Sequence, residues 1–177
     1  MFSTRAKFTD DTVLTFACAE AFLDGKDMSW NLWKCAHEHP GAGYGHQFKA
    51  WLASHDMNPY GSFGNGSAMR CSSAGWLAKS EEERVRLATE TAAPTHNHPE
   101  GIKGAVATAL TIFYLKNGAN KEFIRERVLD AYYPEWSGKT YAEIHAGYTF
   151  NSTCPGTIGA AILSFEASKD YVDCLRL

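Results

Sequence analysis

Residues 101–118 read Gly-Ile-Lys-Gly-Ala-Val-Ala-Thr-Ala-Leu-Thr-Ile-Phe-Tyr-Leu-Lys-Asn-Gly. Ile102, Ala105, Val106, Ala109, Leu110 and Phe113 recur at steps of three and four, the period of an amphipathic helix, and Asn117-Gly118 ends it. Ala105, Ala107, Thr108 and Ala109 are small, so neighbouring helices can approach closely. This stretch is expected to be a central helix.

The same period extends outward in both directions. Leu14, Ala17, Cys18, Ala21 and Phe22 share a helical face, with Gly25 as a stop. Ser29 to Glu38, Gln47 to His55 and Ser67 to Ala78 are shorter candidates. Ser80 and Glu83 form a capping-box pattern ahead of Val85, Ala88 and Ala92, the expected buried stripe. Asn120 is placed to cap a helix through Ile124, Val128, Ala131 and Tyr132 that breaks at Pro134. Ile158, Ala161, Ile162 and Phe165 give another, and Ser168 is expected to cap a last one through Tyr171, Val172 and Leu175. Strand alternation is close to absent. The expectation is a single all-α domain over residues 1–177, with no linker, repeat or low-complexity tract.

Composition narrows the function. A chain of 177 residues that is 45% hydrophobic and 13% aromatic can bury a core. The net charge of −3 gives no electrostatic case for nucleic acid or a membrane surface. No apolar run approaches the roughly 18 residues of a spanning helix. Met1 to Lys7 lacks the apolar stretch of a secretory signal. Five cysteines, odd in number and widely spaced, suggest reduced thiols and a cytoplasmic setting.

Three clusters can carry chemistry. Phe8-Thr9-Asp10-Asp11-Thr12 stands at a helix start, where two adjacent carboxylates repel unless a cation intervenes. Hard oxygen donors of this kind suit Mg²⁺ or Mn²⁺. N-capping and helix-dipole compensation would use the same residues. Gly61-Ser62-Phe63-Gly64-Asn65-Gly66-Ser67-Ala68-Met69-Arg70 is a glycine turn opening a helix, a backbone able to present N–H groups to a phosphate. A plain connecting loop would read alike, and neither a Walker loop nor a dinucleotide fingerprint is present. Thr95-His96-Asn97-His98-Pro99-Glu100-Gly101 leads into the central helix. His96 or His98 could donate to a phosphate or ribose or bind metal, and Thr95 or Asn97 could cap the helix with Pro99 in its first turn. Cys35, His37, His39 and His46 raise zinc, but no Cys-x-x-Cys or His-Glu-x-x-His spacing supports it.

Taken in order, Phe8 to Thr12, Gly64 to Arg70 and Thr95 to Pro99 resemble the ADP-ribosylglycohydrolase family, which includes ADP-ribosylarginine hydrolases and the dinitrogenase-reductase-activating glycohydrolase. Ala36 to Gly45 resembles a bacterial branch of it, and the resemblance spans essentially the whole chain. It implies an orthogonal all-α bundle and a hydrolase that cleaves the glycosidic bond of ADP-ribose conjugates, with two Mg²⁺ or Mn²⁺ ions as cofactors. Thr9, Asp10 and Asp11 would contribute to the metal shell, with Asp10 or Asp11 as the catalytic carboxylate. Gly61, Ser62, Gly64, Asn65, Gly66 and His96 would hold ADP-ribose or an ADP-ribosylated protein, and Phe63 would lie near the adenine.

The sequence departs from the family pattern at two places. No Gly-Asp-Ala-like motif precedes Phe8, and no Gly-Gly-Asp-x-Asp-Thr segment follows Cys174. The resemblance therefore implies an incomplete bundle whose second half-shell is missing or is completed by another chain. The alternative is a catalytically impaired ADP-ribose or nucleotide binder.

Overall fold

The computed structural model describes residues 5–177. Helix α1 (Asp10–Asp24) starts where Thr9 is still extended and ends at Gly25, whose φ of 64° is left-handed. Its buried face is Val13, Leu14, Ala17, Cys18 and Ala21. Asp27 caps α2 (Met28–Glu38) by accepting from the Trp30 amide at 2.8 Å. With α3 (His46–Ser54), these helices enclose a first apolar cluster containing Leu32, Tyr44, Phe48 and Trp51.

The single helix expected over 67–78 is two, α4 (Gly66–Arg70) and α5 (Ser72–Leu77). They are separated at Cys71, which departs from helical backbone (φ −83°, ψ 3°). Ser80 caps α6 (Glu81–Ala92) as expected, but the Glu83 carboxylate accepts from the Lys79 amide rather than from that of Ser80. The buried stripe is rotated from the expected one. Arg84, Leu87, Ala88, Thr91 and Ala92 face inward, while Val85 is exposed. The Arg84 guanidinium lies over the rings of Phe113 and Tyr114, 4.9 and 5.4 Å from their centroids. A cation that can stack on two rings takes an inward position that the apolar pattern alone assigns elsewhere.

Helix α7 (Pro99–Lys116) is central, packed against α4, α5, α6 and α11 (Cys154–Ala167). Its cap is His98, whose Nδ1 accepts from the Glu100 amide at 3.1 Å, and not Thr95 or Asn97. Those two are engaged elsewhere, as described below. Asn120 caps α8 (Lys121–Ile124), which runs through a π turn (Arg125–Leu129) into α9 (Asp130–Tyr132) and a 3₁₀ turn at Pro134–Trp136. Helix α10 (Tyr141–His145) was not foreseen, although Thr140 and Glu143 make a complete capping box there. Helix α12 (Tyr171–Cys174) is capped by Asp170, because Ser168 closes α11 instead.

The later helices form a second cluster around Ala105, Leu110, Val128 and Leu163, and Phe22 touches both clusters. Among the described residues there is no sheet, only an isolated antiparallel bridge between Gly64 and Thr153. No described helix is long and apolar enough to cross a membrane. The five cysteines are free.

Candidate active site

The turn at 61–66 is shaped by its neighbours. Gly61 adopts φ 68°, and its amide donates to Asn97 Oδ1 at 2.8 Å. The Ser62 amide donates to the Thr95 carbonyl at 3.2 Å. On the other side the Asn65 amide donates to the Ser152 carbonyl at 2.7 Å, and the Cys154 amide donates to the Phe63 carbonyl at 2.9 Å. Asn65 Nδ2 also donates to Thr157 Oγ1 at 3.2 Å. Residues 150–157 thus hold the turn from outside, and no periodicity in that segment predicted this. Ser67, buried beneath the turn, donates to the Gly101 carbonyl at 2.7 Å and ties α4 to the start of α7.

The turn lines a cleft of about 530 Å³ that Asp10 and Asp11 also line. Ser62, Gly64, Asn65, Gly66 and His96 line it as well. The structure therefore brings together most of the residues singled out from the sequence, and leaves three out of the cleft lining. Thr9 does not line the cleft; its hydroxyl donates to Asp11 Oδ2 at 3.2 Å. Gly61 supports the turn from behind. Phe63 is exposed, its ring 5.2 Å from that of His98, and it does not line the cleft. Gln47, Tyr60, Phe150 and Ser152 line the cleft without having been singled out, and so does His46, which the sequence raised only for zinc. Their positions depend on tertiary packing. Only an aromatic next to the glycine turn, such as Tyr60, could have been suspected from the sequence.

The electrostatics distinguish the carboxylates from the rest of the lining. Burial and the adjacent Asp11 charge raise the Asp10 pKa from its ordinary value. The backbone amide of Asp10 is anchored to the Ala42 carbonyl at 2.7 Å, which fixes this carboxylate pair at the helix start. Burial and the Asp10 charge push the Tyr44 phenol up to about 12. Elsewhere in the cleft lining, Arg70 is almost completely buried. It donates to the Thr91 carbonyl through Nε (2.9 Å) and Nη2 (2.7 Å), and to Thr95 Oγ1 through Nη2 (2.8 Å). Burial, reinforced by the Arg70 charge, pushes His96 down to about 3, so its ring is uncharged at neutral pH.

The donor set bears on a metal. Two carboxylates at one helix entrance, one already destabilised as an anion, match the one or two carboxylates that Mg²⁺ takes while keeping several waters. They do not amount to an all-protein cage: among the described residues no group of three or more His, Cys, Asp or Glu side chains could hold an ion. The zinc possibility around residue 37 falls with the same observation. His37 stacks on Trp33 with ring centroids 3.8 Å apart, and His39 meets Phe8 edge-on.

A cleft lined by an uncharged histidine, a glycine turn and two carboxylates can hold a sugar phosphate while a carboxylate works on its far end. The sequence model of one family, described as ADP-ribosylglycohydrolase, matches residues 2–175, and the chain belongs to that family.

Proposed function

We propose that this protein is a metal-dependent hydrolase that cleaves the glycosidic bond between ADP-ribose and a modified side chain or related conjugate. One observation carries the reading: the Asp10–Asp11 pair and the glycine turn with His96 line one cleft. The glycine turn and His96 hold the diphosphate, and that remote binding sets the anomeric carbon against the carboxylates. Asp10, the carboxylate whose charge burial and Asp11 disfavour, takes the proton from the attacking water. The bond to the leaving group breaks through an oxocarbenium-like transition state, which the carboxylates stabilise. Asp10 and Asp11 would hold Mg²⁺ or Mn²⁺, with Thr9 orienting Asp11. Such an ion supplies Lewis-acid polarisation and orientation of the ribose hydroxyls.

The test is a thermal melt with added Mg²⁺ or Mn²⁺, paired with an assay for ADP-ribose released from an ADP-ribosylated protein. The wild type should melt higher with the ion, Asp10→Ala should lose that rise, and release should depend on both. No metal-dependent shift and no release would reject the hydrolase. A second reading rests on the absence, among the described residues, of a third acidic or histidine ligand near the pair. On that reading the chain binds ADP-ribose without cleaving it, and calorimetry would show ADP-ribose binding without metal and without release.

A further inference from the structure

Thr95 Oγ1 is a meeting point of two polar groups. Arg70 Nη2 donates to it at 2.8 Å, and a guanidinium can only donate. The hydroxyl's other partner is His96 Nδ1, at 2.7 Å, so in this fully buried residue the hydroxyl hydrogen goes to that nitrogen. The proton of the uncharged imidazole then sits on Nε2. That atom makes no hydrogen bond to any described residue. It lies against the turn where two residues lack side chains. A Cβ on Gly66 would come within 3.3 Å of Nε2, and one on Gly64 within 3.6 Å.

Arg70 brings a second consequence. It is 1% exposed, and its partners are carbonyls and a hydroxyl. Among the described residues no carboxylate pairs with it. A buried cation without a counter-ion favours an anion nearby, and the low local dielectric strengthens that preference.

We propose that Arg70 and Thr95 are positioning residues that fix His96 as the uncharged Nε2–H tautomer, so that the turn meets an anionic diphosphate with a neutral donor backed by a buried positive charge. What His96 donates to rests on the functional reading above; the tautomer itself does not.

Long-range ¹H–¹⁵N NMR of the ligand-free full chain reads the tautomer directly, with His96→Gln identifying the His96 signals among seven histidines. The wild type should show a protonated Nε2 and an unprotonated Nδ1. Thr95→Ser should keep this pattern. Thr95→Val should mix the tautomers and weaken ADP-ribose binding by roughly fivefold to tenfold, the effect of one lost hydrogen bond. A proton on Nδ1 in the wild type overturns the proposal, and this result needs no variant to fold. A folded Thr95→Val that keeps the wild-type pattern overturns it as well. The Nε2–H pattern in a protein that fails to bind ADP-ribose supports the relay and rejects the functional reading, so the two fail separately.

Discussion

At the scale of the residue, His96 shows how burial decides protonation before any ligand arrives. The unfolded chain carries an ordinary histidine, near 6.5, whereas the folded ring is held down to about 3. Between those values the unfolded state binds the extra proton, so stability rises with pH and is lost as pH falls below about 6.5. We expect the difference in unfolding free energy between wild type and His96→Gln to change by up to about 1.4 kcal/mol per pH unit between about pH 6 and pH 4, in urea titrations. A constant difference would mean that the ring is charged, or hydrated, in the native state. Above pH 6.5 the charge of His96 is the same in both states, so ADP-ribose affinity should not vary with its titration there.

At the scale of the element, α7 serves the site by what its inner face lacks. A Cβ on Gly101 would stand 2.6 Å from the Ser62 carbonyl oxygen and 3.0 Å from His96 Cβ. The helix therefore carries the glycine turn and His96 at contact distance only because this position has no side chain. Gly101→Ala should displace both, lowering ADP-ribose affinity roughly tenfold to a hundredfold by calorimetry. At Gly104 a Cβ would come within 2.3 Å of Cys154 Sγ, where α7 meets α11. Gly104→Ala should cost about 1–3 kcal/mol of stability through overpacking. Gly41→Ala, with nothing within 4 Å of the added methyl, should stay within about 0.5 kcal/mol. Equal effects at 104 and 41 would show that α7 and α11 are not this closely packed.

At the scale of the whole molecule, the cleft spans the two apolar clusters. Asp10 and Asp11 begin α1, whose inner face belongs to the first cluster, while His96 precedes α7, the spine of the second. Phe22 packs against both. Leu32→Ala in one cluster and Leu163→Ala in the other, both fully buried, should each cost about 2–5 kcal/mol. If the contact through Phe22 couples the clusters, each variant moves a single unfolding transition. Two separate transitions by calorimetry would show that the walls of the cleft belong to independently folding units.

The sequence by itself determined the helical class, because apolar spacing of three and four residues survives any packing arrangement, as at Ile102 to Phe113. It also determined most helix ends, because Gly25, Asn120 and Ser80 act through bonds a few residues away. Local order in the chain likewise supplied Asp10, Asp11, the glycine turn and His96 as candidates. Only the tertiary structure decided which face of α6 is buried, since stacking of Arg84 on Phe113 and Tyr114 depends on a helix distant in sequence. Nor could periodicity place Phe150 to Cys154 beside the glycine turn, turn Phe63 outward, or join Arg70 to His96 through Thr95. Those arrangements are set by which buried polar groups must find partners across the fold, a requirement that no single segment contains.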